Sequence, residues 1–227
     1  MGMFLRRGPA PKMGTPIGSL DVGATVKLNV SSTPWEFLVV HQGLPSSLYD
    51  ASCDGTWLLL KDIYENRQWN SSKSTYATST INTYLGGDFL AKFDSNVQNA
   101  IKQVKIPYCI GGGRGTVQSG ANGLSCKVFL LSGHEVGFAG ESYLPSDGAK
   151  LDYFNANTGT DSKRIAYLNG SAAVWWLRSP RTIDTSFVYC VGYDGKVRTN
   201  NVSYSSGIRP ALILPSDFIV SEEMLAA

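Results

Sequence analysis

The chain has 227 residues, with 20 Lys+Arg against 18 Asp+Glu and a formal net charge of +2; 43% of residues are hydrophobic and 17% charged. That balance is globular and excludes a disordered tail, and the length allows one large domain or two small ones. Scattered basic residues leave no electrostatic footprint for nucleic acid, and no apolar run approaches the ~20 residues of a membrane helix. Neither a nucleic-acid partner nor membrane insertion is expected.

The N-terminus, MGMFLRRGPAPKMG, has no apolar stretch after its two arginines. It does not read as a secretory signal, so synthesis in the cytoplasm is expected. Pro9, Pro11 and Pro16 with three glycines predict an extended arm over residues 1–20, because proline lacks a donor and glycine is costly to order. Regular structure is expected to begin near Val22, and residues 21–227 are expected to form one domain. Cys53, Cys109, Cys126 and Cys190 form no CxxC pair and read as free thiols. His41 and His134 have no ligands clustered at short spacing, so neither a metal nor a cofactor is expected.

Glu36–Val40 and Trp57–Asp62 are short apolar runs separated by turn residues, and they predict an antiparallel strand pair. Thr78 or Ser79 is placed to cap a helix carrying Ile81, Tyr84 and Leu85, ended by Gly86-Gly87. Asp94 precedes a second helix with the stripe Val97, Ile101 and Val104, stopped by Pro107. CIGGGRGTVQSGANGLS (109–125) lacks the Gly-Lys-Ser/Thr ending of a phosphate loop and reads as a surface loop. Lys127–Leu131 predicts a strand. Ser132 and Glu135 have capping-box spacing for a short helix.

The last third reads as β. Ala173–Arg178 is one strand. SFVYCVGY runs into the hairpin signal Asp194-Gly195, and KVRT returns. Gly207–Leu214 is a buried strand in which Pro210 demands an edge or a bulge. The fold class is therefore α+β, with short mixed or antiparallel strands, two main helices and long loops.

Catalytic signals are absent. No nucleophile elbow surrounds a serine, neither histidine lies beside a nucleophile motif, and no pair of acids is suggestively placed. The informative stretch is RTIDTSFVYCVGYDGKVRTNNVSYSS, residues 181–206. Its Tyr, Ser, Thr, Asn, Asp and Gly are the palette of adaptable binding surfaces. WWLRSP (Trp175–Pro180) and GIRPALIL frame it. Arg178 and Arg209 stand in those frames and are expected to pair with carboxylates or backbone carbonyls, fixing the loop ends.

The two frames, with VGATVKLN, EFLVVHQGLPSSLYD, CDGTWLLLKD, FLLSGHEVGF and DSKRIAYLNGSA upstream, resemble the variable target proteins of diversity-generating retroelements over nearly the whole chain from Asp21. The resemblance implies a C-type-lectin-like fold and a non-enzymatic, receptor-recognising protein. It would be carried in a phage or prophage virion, on the tail. Its C-terminal cassette would be rewritten at template adenines, typically in AAC codons. Such codons never yield Lys, Glu, Gln, Trp or Met, and only Lys196 of that set occurs in 181–206, so Lys196 would be a fixed position.

The residues implied to bind ligand are Thr182, Ile183, Asp184, Thr185, Ser186, Phe187, Tyr189, Tyr193, Arg198, Thr199, Asn200, Tyr204 and Ser205. The implied partners are a host cell-surface protein or glycan and, through the N-terminal arm, other tail proteins; a homo-trimer would add avidity. The EPN, QPD and WND motifs of calcium-dependent lectins are absent. That leaves a calcium-independent carbohydrate-binding module with a fixed site as one rival. A formylglycine-generating oxidase is the other, disfavoured because Cys190 has no partner cysteine nearby.

Overall fold

The computed structural model describes residues 14–111, 115–155 and 159–225. It is α+β, and most of its regular structure is short strands. Ten of these form two five-stranded sheets. They are β1 (Thr25–Val30), β2 (Thr33–Gln42), β3 (Thr56–Leu60), β4 (Glu65–Gln68), β5 (Val128–Phe129), β6 (Trp175–Arg181), β7 (Asp184–Val191), β8 (Val197–Asn201), β9 (Ser205–Ile208) and β10 (Ala211–Leu214). The first sheet has the order β5-β10-β3-β2-β1 and is antiparallel throughout. The second has the order β8-β7-β6-β9-β4, in which only β6 and β9 run parallel.

The expected pairing of the 36–40 and 57–62 runs is that of β2 with β3. The Asp194-Gly195 turn joins β7 to β8 as the sequence indicates. Gly195 has φ +77°, and a Cβ there would overlap the carbonyl of Asp161, so both conformation and space demand glycine. The 207–214 run is divided between sheets. Ile208 ends β9 in the second, Ala211 begins β10 in the first, and Arg209-Pro210 makes the crossing. Pro210 therefore needs no ladder donor.

Three expectations about local structure are corrected. Regular structure starts before Val22: Thr15–Pro16 pairs with Ile219–Val220, and Ile17 is fully buried with its N–H bonded to Phe218 O at 2.8 Å. Residues 14–20 thus belong to the fold, while the expected arm over 1–13 lies outside the described residues. The first helix, α1 (Thr80–Tyr84), is capped by Ser79, whose Oγ accepts from Asn82 N. It does not stop at Gly86-Gly87, for the chain continues as a π turn over Leu85–Phe89. The second helix, α2 (Ser95–Ala100), ends before Ile101. Val104 sits instead in a two-strand ladder, paired with Cys126. All three stripe residues are nevertheless buried; burial fixed them, and helical spacing only imitated a helix face. A third short helix, α3 (Thr160–Arg164), has no sequence counterpart above.

Four indoles anchor the core. Trp57, Trp69, Trp175 and Trp176 are buried, and each Nε1–H donates to a carbonyl: Cys53, Leu177, Arg164 and Arg67 respectively. A buried indole left without a partner would carry a desolvation cost, so these bonds fix ring orientation as well as depth.

Arg178 lies at the centre, with no exposed side-chain surface. Its Nη1 and Nη2 meet Glu135 Oε2 and Oε1, both at 2.6 Å. Its remaining donors reach the carbonyls of Pro107, Leu130 and Asp147 at 2.8–3.0 Å. Glu135 also accepts from Tyr49 Oη at 2.7 Å and from Ser132 N at 2.8 Å. The expected capping box exists, since Glu135 N donates back to Ser132 Oγ at 3.1 Å, but it closes a turn rather than opening a helix. Arg209 is buried over the Trp175 ring and donates to the carbonyls of Leu60 and Lys61. Both frame arginines therefore hold loop ends, as expected from their place in the sequence.

Glu135→Gln should lower unfolding free energy by roughly 3–5 kcal/mol, because it strands a buried guanidinium without its counter-charge. Urea denaturation of the purified chain measures this. A loss under ~1 kcal/mol would show that the pair does not hold the core.

Candidate functional site

The thirteen residues singled out from the sequence occupy the second sheet and its turns. Tyr193 stands in the β7–β8 turn, while Thr182 and Ile183 form the β6–β7 turn at the other end of β7, some ~23 Å away by strand rise. Tyr204 and Ser205 follow the crossing from β8 to β9. That crossing is tied down where Val202 N meets Ser186 O at 2.9 Å. Ile183, Tyr193, Arg198, Tyr204 and Ser205 are exposed, with Tyr193 and Tyr204 at 62% and 63%. Thr182, Asp184, Ser186, Phe187, Thr199 and Asn200 are half-buried.

Thr185 and Tyr189 are corrections, for both are buried. Thr185 packs under Gly111. Tyr189 is covered by the segment before Tyr143, and its Oη donates to Ser142 O at 2.6 Å. Thr185 presents no side chain for display, and Tyr189 contributes only to the wall of the hollow beside it.

That covering segment, residues 137–147, is the part sequence reasoning missed. It carries almost no ladder hydrogen bonds and reads as featureless loop, yet it makes one wall of a long trough. Beside it lies a cavity of about 470 Å³, lined by Gly140–Tyr143 on one side and by Arg181, Tyr189, Val197, Arg198 and Thr199 on the other. A neighbouring hollow of about 480 Å³ shares Tyr143 and reaches Leu48, Val117 and Thr182. A third, about 360 Å³, shares Glu141, Val197 and Arg198 and reaches Arg164 and Lys196. Register explains the far wall: Tyr189 pairs with Thr199 and Val191 with Val197, so these side chains share one face of the sheet.

Arg181 sits where the two walls meet. Its guanidinium carbon lies 5.5 Å from the Tyr143 ring centroid and 5.9 Å from that of Phe187, within cation–π range. Thr182 N donates to Tyr143 O at 3.0 Å, which holds the loop against the turn. Tyr143 has φ +68°, a left-handed conformation unusual for an aromatic residue and retained only where its surroundings enforce it.

The loop is also anchored from beneath. Asp147 is fully buried, and its carboxylate accepts from Ser179 Oγ at 2.8 Å. A Cβ on Gly148 would collide with Ser132 Oγ, so glycine is what lets the loop approach this close. Desolvation pushes the Asp147 carboxyl up to about 7, against the opposing pull of Arg178 and the Ser179 hydroxyl.

The remaining reactive groups lie apart from the trough or are sealed. All four cysteines are free and buried; burial pushes the Cys190 thiol up to about 12 and the Cys53 thiol up to about 11. His41, near the end of β2, has its Nδ1 2.8 Å from Asp152 Oδ2. Among the described residues, no three His, Cys, Asp or Glu side chains converge as a metal site, and no helix is long and apolar enough to cross a membrane. What the trough offers is contact surface: aromatic rings, hydroxyls and a guanidinium held in place.

Residues 54–216 match the model of the family described as a domain of unknown function, DUF6273, and the chain belongs to that family. The matched span runs from just before β3 to just past β10, so it includes the Arg178 centre, the trough and both frames. No curated protein and no solved structure matches the chain.

The Asp147 carboxyl binds its proton more tightly folded than unfolded, where 3.8 is the ordinary value. Below pH ~4 both states are protonated. As pH rises towards ~7 the unfolded chain ionises first, so this group's stabilisation is lost across that window and stays lost above it. Asp147→Asn should flatten the decline between pH 4 and 7 in thermal melts and raise stability at pH 8. An unchanged pH profile would refute the assignment.

Proposed function

We propose that this protein is a non-enzymatic recognition domain with a C-type-lectin-like fold, carried on a phage or prophage tail. Its β7–β8 hairpin and adjoining turns would present a surface diversified by a retroelement to a host cell-surface ligand. The observation that supports this most is a division within one short stretch of chain. Eleven of the thirteen candidate residues carry solvent-accessible side chains, while Trp175, Trp176, Leu177, Arg178, Ile208, Arg209 and Ala211 on either side are buried. Residues that leave the core untouched can change without unfolding the protein.

Tyrosine suits such a surface, because a large, stiff amphipathic ring gives contact area at small entropic cost. The buried Cys190 thiol is protonated at neutral pH and ill suited to nucleophilic or oxidative work. The N-terminal arm would dock the domain to the particle, and the cell-facing work falls to the second sheet. A calcium-independent carbohydrate-binding module with a fixed site is the second reading, favoured by the trough, whose covering loop lies outside the 181–206 cassette.

Two measurements test the proposal. The DNA beside the gene should hold a near-copy of the codons for 181–206, differing only at adenines, next to a reverse transcriptase reading frame. Tyr193→Ala and Tyr204→Ala should each change unfolding free energy by less than ~0.5 kcal/mol yet weaken adhesion to host cells. Trp176→Ala should instead cost roughly 3–5 kcal/mol. Full adhesion by the double tyrosine variant would overturn the display surface.

A further inference from the structure

We propose that the trough between residues 140–143 and the β7–β8 face binds carboxylate-bearing sugars, with Arg181 receiving the carboxylate. This rests on the recognition reading above and names the ligand chemistry of one part of that surface.

The first observation is electrostatic. Among the described residues, five arginines have oxygen partners. Arg67 pairs with Glu65, Arg164 with Asp161, Arg178 with Glu135 and Arg198 with Asp194, and Arg209 donates to two carbonyls. Arg181 is the exception. Its guanidinium makes no hydrogen bond or ion pair among the described residues; it lies beside the rings of Tyr143 and Phe187 and within electrostatic reach of the Asp184 carboxylate across the β6–β7 turn. The guanidinium is thus held in place without its donors being used, and it lines an open cavity. A planar fork of donors fits a carboxylate in bidentate fashion. Because the rings already restrict the side chain, less conformational entropy is lost when an anion arrives.

The second observation is the character of the walls. Apart from the aromatic rings, the only apolar side chain lining this cavity is Val197. A peptide interface would need an apolar pocket for an anchor residue; none opens in this cavity, the apolar side chains Leu48, Val117, Leu144 and Pro145 lining the neighbouring hollow instead. Ser142, Thr199 and Glu141 instead supply hydroxyls and a carboxylate acceptor, groups that match the hydroxyls of a sugar ring. The Tyr143 ring, 48% exposed, gives a surface on which such a ring can stack. At about 470 Å³ the cavity falls in the range of small-ligand sites.

The test titrates the full chain by calorimetry with sialyllactose, lactose and poly-L-glutamate. Sialyllactose should bind at least ~10-fold more tightly than lactose, the worth of a charge-assisted pair. Arg181→Ala should abolish that preference at unchanged melting temperature, and Arg181→Lys should keep part of it. Equal binding of the two sugars, no sugar binding at all, a preference that survives Arg181→Ala, or binding of poly-L-glutamate alone would each overturn the site. Adhesion of the Tyr193→Ala and Tyr204→Ala variants, run in parallel, separates the two ideas. If those variants lose adhesion while no acidic sugar binds, the carboxylate site falls and the recognition surface stands.

Discussion

The fold depends on where one buried positive charge finds its partners. Arg178 comes from the middle of β6, and its donors reach Glu135 and the carbonyls of Pro107, Leu130 and Asp147. These segments share almost no ladder pairing, so the guanidinium replaces the backbone hydrogen bonds that a sheet would have supplied. Burial opposes the charge, but Glu135, with smaller help from Asp147 and Tyr49, outweighs it, and the arginine's pKa is driven upward. A buried ion pair is weak evidence for net stability, since an apolar replacement can do as well. What such a replacement could not do is place four loop segments at fixed distances from one strand. The pair specifies the loop arrangement more than it adds to the total.

From that arrangement follows the shape of the surface. Residues 137–147 are fastened at both ends of the trough: Arg164 holds the carbonyls of Val136 and Gly137, and Asp147 and Ser179 hold the other end. Between them, Tyr189 and Thr182 bond to the carbonyls of Ser142 and Tyr143. An irregular segment with that many anchors has little freedom to collapse onto the sheet. The hollow beside it is therefore a property of the scaffold, whereas Tyr193 and Tyr204 are exposed on turns whose backbone is held by Arg164 and Gln68.

The parts of this design legible in the sequence are those governed by local chemistry. Asp194-Gly195 predicts its hairpin because the turn itself needs positive φ, and Ser79 caps α1 because an N-terminal donor needs an acceptor. The Ser132–Glu135 box was legible for the same reason, although Glu135 is drawn into the Arg178 pair and no helix follows. Failures occurred where distant chain decided the outcome. Val104 lies at helical spacing from Val97 and Ile101, but the strand Leu124–Cys126 captures it. Tyr189 has the composition of a display residue and is buried by a loop almost fifty positions earlier. Alternation along β7 could not reveal this, since Val188, Tyr189, Cys190 and Val191 are buried in succession; this stretch is covered on both faces, and period-2 patterning vanishes when both faces are covered.

Tyr189 also shows why recognition and stability can coexist in one hairpin. On a two-stranded edge exposed on both sides, every substitution would shift register or invite pairing with another chain. Here alternate duties are assigned along the same strand. Tyr189 and its buried neighbours lock β7 to the loop and the core, and Phe187, half-exposed two residues earlier, meets Arg181. Register is fixed by residues almost wholly sealed from water, which leaves the exposed residues of the hairpin free of that duty. A surface built this way can change its chemistry without losing its geometry, because the hydrogen bonds that define the geometry are made by backbone and by side chains already sealed from water.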